Sequence, residues 1–111
     1  MTYRLDQQAI PRGVGREGSL RAIPKRIRAR FGEPKHWQGD DECLGNYIFC
    51  AEDGAIFTVY RMAYDVPAKK VAKLKSEFWD YSGVEDLHVG ASKGASVETF
   101  MLWFQSQLLQ P

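Results

Sequence analysis

The chain has little of what usually betrays the chemistry of a small protein. Its two cysteines, Cys43 and Cys50, form no closely spaced pair, which excludes a disulfide framework and a Cys-x-x-Cys redox or metal motif. Both are expected to be reduced, structural thiols. Neither a complete Gly-x-Gly-x-x-Gly nor a phosphate loop ending in Gly-Lys-Ser/Thr is present, so the two commonest nucleotide-binding signatures are missing. No apolar run approaches the roughly 20 residues of a membrane-spanning helix, and Met1–Asp6 lacks the apolar stretch of a signal peptide. The expectation is a cytoplasmic protein without a membrane partner. Internal repeats and low-complexity tracts are also absent.

What the chain does contain is enough to fold. In 111 residues, 44% are hydrophobic and 13% aromatic, a composition that can bury apolar surface and that a disordered tail lacks. The charge is uneven. Residues 1–36 hold nine of the fifteen Lys and Arg against Asp6, Glu17 and Glu33, so this third carries +6 within a chain of net charge +1. The split suggests either contact with an anionic partner or attraction to the acidic remainder of the fold.

Residues 10–19 contain Pro11, Gly13, Gly15 and Gly18 with no apolar period. They predict a flexible basic arm over 1–20, followed by a single α+β domain over 21–111. Ile23, Ile27 and Phe31 recur every four residues between Pro24 and the stop at Gly32 and Pro34, which predicts a short helix. Residues 46–51 and 56–61 are rich in β-branched and aromatic types around Asp53-Gly54, the clearest hairpin signal in the chain. Val71, Leu74 and Phe78 place an amphipathic helix near 66–79, a third strand follows over 84–91, and Val97, Phe100, Phe104 and Leu108 mark a C-terminal helix. The predicted order is helix, hairpin, helix, strand, helix, with the helices on one face of a small, mainly antiparallel sheet. Its core is expected to unite Val59, Leu87, Phe100 and Phe104.

A two-residue Asp53-Gly54 loop would pair Cys50 with Phe57, Phe49 with Thr58 and Tyr47 with Tyr60. One face would then be wholly apolar, with Ile48, Cys50, Phe57 and Val59. The other would carry Tyr47, Phe49, Thr58 and Tyr60, extended by His88 of the third strand. Tyrosine joins contact area to a hydrogen-bonding group, so this second face is the expected partner-binding surface.

Other constellations point less clearly to chemistry. His88 beside Asp86 has the composition of an oriented general base, but residues two apart on a strand point in parallel, and His88 is read as an ordinary surface histidine. His36, Cys43, Cys50 and His88 lack the short paired spacings that deliver zinc ligands together, so no metal or cofactor is expected. Gly90–Ser96 reads as a tight strand-to-helix connection. The cations Arg12, Arg16, Arg21, Lys25 and Arg28 are the expected contacts for an anionic partner. The sequence therefore suggests a non-enzymatic interaction protein that meets another protein or a second copy. A nucleic-acid-associated accessory protein is the alternative, and a small hydrolase or transferase using His88 comes third.

Overall fold

The hairpin sets the registration of everything around it. The computed structural model describes residues 2–36, 43–62 and 77–110. Strands β3 (Cys43–Ala51) and β4 (Ile56–Met62) meet where expected, but their loop is longer by one residue. The Ala51 N–H donates to the Ala55 carbonyl at 2.9 Å, and Asp53 Oδ1 accepts the Ala55 N–H at 3.0 Å. Glu52, Asp53 and Gly54 thus form a three-residue loop, with Gly54 at φ 91° supplying the left-handed turn position. The partners become Cys50 with Ile56, Phe49 with Phe57, Ile48 with Thr58 and Tyr47 with Val59. Against the expected pairing this is a slip of one residue, and such a slip redistributes side chains between the faces.

Around the hairpin, β1 (Tyr3–Leu5), β2 (Val14–Ala22) and β5 (Glu85–Ser92) complete a five-stranded antiparallel sheet in the order β1-β3-β4-β5-β2. The fold is mixed α+β, as expected, but among the described residues the sheet has five strands rather than three. Of the two additional strands, β1 lies within the stretch expected to be a flexible arm over 1–20 and β2 mostly so. β2 crosses residue 20, pairs along β5 from Val14↔Ser92 to Ala22↔Glu85, and buries Leu20 and Ala22. One extra residue, Glu17, interrupts that ladder as a bulge between Arg16 and Gly18. Gly18 lies against the C-terminal helix, where an added Cβ would make ordinary contact with Met101, 3.4 Å from its Sδ.

Helices α1 (Pro24–Phe31) and α2 (Val97–Leu108) match the periodicities that predicted them, with Pro24 in the first turn and Gly32 closing α1. The helix expected over 66–79 falls mostly on 63–76, outside the described residues. At its predicted end, Phe78–Asp80 forms one 3-10 turn with Phe78 and Trp79 buried. Among the described residues, no helix is long and apolar enough to cross a membrane.

Both helices pack on the same side of the sheet. Phe100 stacks on Phe57 with ring centroids 4.5 Å apart, and Phe104 stacks on Phe31 at 5.4 Å. Phe49 and Tyr3 add edge-on contacts with these helix aromatics. Val59, Leu87, Phe100 and Phe104 belong to one buried cluster, as expected.

β1 and β2 are consecutive in sequence yet occupy opposite edges, so residues 6–13 must traverse the sheet. Eight extended residues would reach roughly 26 Å, against about 19 Å for four inter-strand spacings, which leaves room for the turns that Ala9 closes with Asp6 and Arg12 with Ile10. It crosses the side away from the helices, where Asp6 approaches Cys50 and Pro11 lies near Thr58, Tyr60 and Gly90.

Candidate binding face

The sheet surface opposite the helices is built by strand parity. Tyr60 pairs with His88, and Thr58 pairs with Gly90. Directly opposed residues of an antiparallel pair project to the same side. β2 contributes Arg16, opposite Gly90, and Ser19, opposite His88. The Tyr60 and His88 rings lie 5.4 Å apart at 51°. Beside them Gly90 leaves space that Thr58 and Val14 fill, since a Cβ there would lie 2.8 Å from Val14 Cγ1.

Two adjoining clefts mark this face. One, of about 200 Å³, lies between the crossing segment and the sheet, with Pro11, Val14, Asn46, Thr58 and Tyr60 in its wall. Asn46 is 7% exposed, and its Oδ1 has no hydrogen-bond partner among the described residues. The second, of about 430 Å³, is lined by Arg16, Ser19, Arg61, Asp86 and His88 and is the more polar of the two.

Of the five residues expected on the partner-binding face, Tyr60 and His88 lie on it partly exposed, whereas Thr58 projects to the same side but is only 4% exposed, beneath the crossing segment. Tyr47 and Phe49 do not face that side. Each is 0% exposed and packs beneath the helices, because the three-residue loop turns them to the apolar side. The Tyr47 hydroxyl donates to the Gly32 carbonyl at 2.7 Å, and burial pushes its pKa well above the usual tyrosine range. Ile48 and Cys50, expected among the apolar set, face the crossing segment instead.

The expected cations are spread over separate elements. Arg12 lies on the crossing segment and Arg16 on β2, both exposed and without an ion pair among the described residues. Arg21 reaches Asp86 at 3.4 Å. Lys25 is exposed on α1, while Arg28 is held by Asp80 and by Glu33 at 3.8 Å on the helix side. Arg28 therefore stands apart from the binding face. Arg61 is buried, pairs with Glu85 at 3.0 Å and lies over the Phe78 ring.

Burial, reinforced by the nearby Asp6 carboxylate, raises the Cys50 pKa, which keeps its thiol protonated and a poor nucleophile. Hydrogen bonds from Arg4 and the Gln8 N–H lower the Asp6 pKa. Among the described residues, no three His, Cys, Asp or Glu side chains come close enough to hold a metal ion. Ser92, in the glycine-bearing connection, exchanges hydrogen bonds with the Ile56 N–H and carbonyl, and so ties β4 to the end of β5.

The sequence reading missed Asn46, Val14, Ser19 and the crossing segment, all of which depend on strand order. Gly90 carried a local signal, a glycine inside a strand-like run, which commonly marks a close approach. No family model, curated protein or solved structure matches this chain.

Proposed function

We propose that this chain is a non-enzymatic binding module that recognises a protein partner through the sheet face opposite its helices. One observation carries the reading: Tyr60 and His88 stand side by side, both partly exposed, on a face that neither described helix covers. Thr58, on the same strand face, is buried beneath the crossing segment and backs this surface from within, and Arg16 and Ser19 form the rim. An aromatic centre with a polar, charged rim is the usual anatomy of a protein interface. Asp86 and Asp6 interrupt the positive charge, which favours a mixed-charge polypeptide over a phosphate backbone.

Photo-crosslinking in extract of the source cells tests this. A photoreactive residue at position 60 is expected to give a discrete adduct, competed away by excess wild-type protein but not by Tyr60→Ala. The same probe at Leu102, on the exposed side of α2, is expected to give none. Equal labelling from both positions, or an adduct unaffected by either competitor, would remove the reading. An adduct containing nucleic acid, lost steeply as salt rises, would replace it with the nucleic-acid alternative.

A further inference from the structure

Asn46 stands in one cross-strand row with Tyr60, His88 and Ser19, so its side chain projects to the side of the sheet that the crossing segment passes over. Its backbone is fixed on both flanks. The Asn46 N–H donates to the Lys35 carbonyl at 3.0 Å, the Asn46 carbonyl accepts the Lys35 N–H at 2.7 Å, and β4 lies along the other side. The carboxamide is thereby set in the wall of the cleft of about 200 Å³ between the crossing segment and the sheet.

That carboxamide is only 7% exposed, and nothing among the described residues hydrogen-bonds to its Oδ1. A buried acceptor without a donor costs stability, and Val would suit this strand position without that cost. The unmet acceptor lies on a concave surface, where a bound donor would satisfy it. Thr58 and Val14 converge over Gly90 beside it, where a Cβ would lie 2.5 Å from Thr58 Oγ1 and 2.8 Å from Val14 Cγ1. Pro11, Val14 and Met62 give the cleft its apolar wall, and none of the described residues in that wall carries a charge.

These features restrict the occupant. A charged group entering a wall without a counter-charge would lose its hydration uncompensated, so the fitting molecule is neutral. A water occupies about 30 Å³ and a cavity of about 150 Å³ holds benzene, so a cleft of this size takes roughly six to eight non-hydrogen atoms.

We propose that the cleft binds a small neutral molecule that donates an N–H or O–H to Asn46 Oδ1 and lays a short apolar body against Pro11, Val14 and Met62. Tyr60 borders both this cleft and the face assigned to the protein partner. The small-molecule site needs no protein partner, so the two proposals stand or fall separately.

Amide-detected NMR of the full chain tests the site with two probes. 2-Pyrrolidinone is a neutral lactam with one N–H, and N-methyl-2-pyrrolidinone keeps the ring but has no donor. The first is expected to shift the Val14, Asn46 and Gly90 amides saturably, and the second to bind at least about tenfold more weakly because it leaves Oδ1 unpaired. Asn46→Val is expected to lose this preference and bind both lactams alike, while melting at or above the wild-type temperature because the unpaired acceptor is gone. The comparison of the two lactams on the wild type stands even where that variant fails to fold. No saturable shift with either lactam, equal affinity of the wild type for both, or a preference that survives in Asn46→Val would each overturn the proposal.

Discussion

Gln7 Oε1 accepts the Ile48 N–H at 2.9 Å, so a side-chain amide takes the place of a strand along part of β3. β1 pairs with β3 only at Phe49–Ala51. Beyond Leu5, the Asp6 N–H donates to the Ile48 carbonyl, and Gln7 Nε2 reaches the carbonyls of Glu33 and Asn46 at 3.3 and 3.4 Å. Lys35 then closes the row by pairing with Asn46 and donating its Nζ to the Gln7 carbonyl at 2.6 Å.

Gln7→Ala is expected to leave the Ile48 N–H short of its acceptor and to release the start of the crossing segment. A partly buried donor left without a partner costs about 1–3 kcal/mol. Urea unfolding should show that loss, with faster amide exchange at Ile48 under native conditions. An unchanged midpoint and unchanged exchange would mean that the crossing segment is held elsewhere.

The Tyr47 hydroxyl gives a pH signature. Its folded pKa is raised by burial and by Glu33, whereas the unfolded value lies near 10. The folded state therefore favours the protonated phenol. Its contribution is complete below about pH 10 and is lost as pH rises from there toward the folded pKa. Stability of the wild type should fall with pH above 10, and Tyr47→Phe should flatten that part of the profile while losing the hydrogen bond to Gly32 at every pH. Identical alkaline slopes in the two proteins would assign the dependence to other groups.

Strand registration can be tested by two aromatic truncations. Phe49→Ala removes a fully buried ring that touches Phe31, Phe100 and Phe104, and should cost about 3–5 kcal/mol. Tyr60→Ala, on the opposite face, should cost about 1 kcal/mol. Denaturant melts that reverse this order would restore the two-residue loop and its opposite assignment of faces.

Loop length explains why the sequence exposed the hairpin but not its faces. Asp53-Gly54 marks the reversal under either loop length, but one residue decides whether Tyr47 and Phe49 lie with Phe57 or against it. Thr58 and Tyr60 are two apart on one strand and share a face in either register, so that part of the site was legible. Helices α1 and α2 were legible because Ile27, Phe31, Phe100 and Phe104 recur at helical spacing and all enter the core. β1 and β2 were not. Arg16, Glu17, Gly18 and Ser19 have weak strand propensity, and what makes them a strand is β5, whose pairing no local window reveals.

The placement of β2 also sets an order of events during synthesis. Val14–Ala22 emerge early, whereas their partners in Glu85–Ser92 are made roughly seventy residues later, a delay of several seconds at ordinary elongation rates. Among the described strands, only the β3–β4 hairpin can close from neighbouring residues; both sheet edges wait for distant ones. A segment that remains unpaired for so long is safest when it cannot readily pair with anything else. The glycines and charges that hid β2 as a strand suit it to that interval, since they keep an early-made edge soluble until β5 arrives.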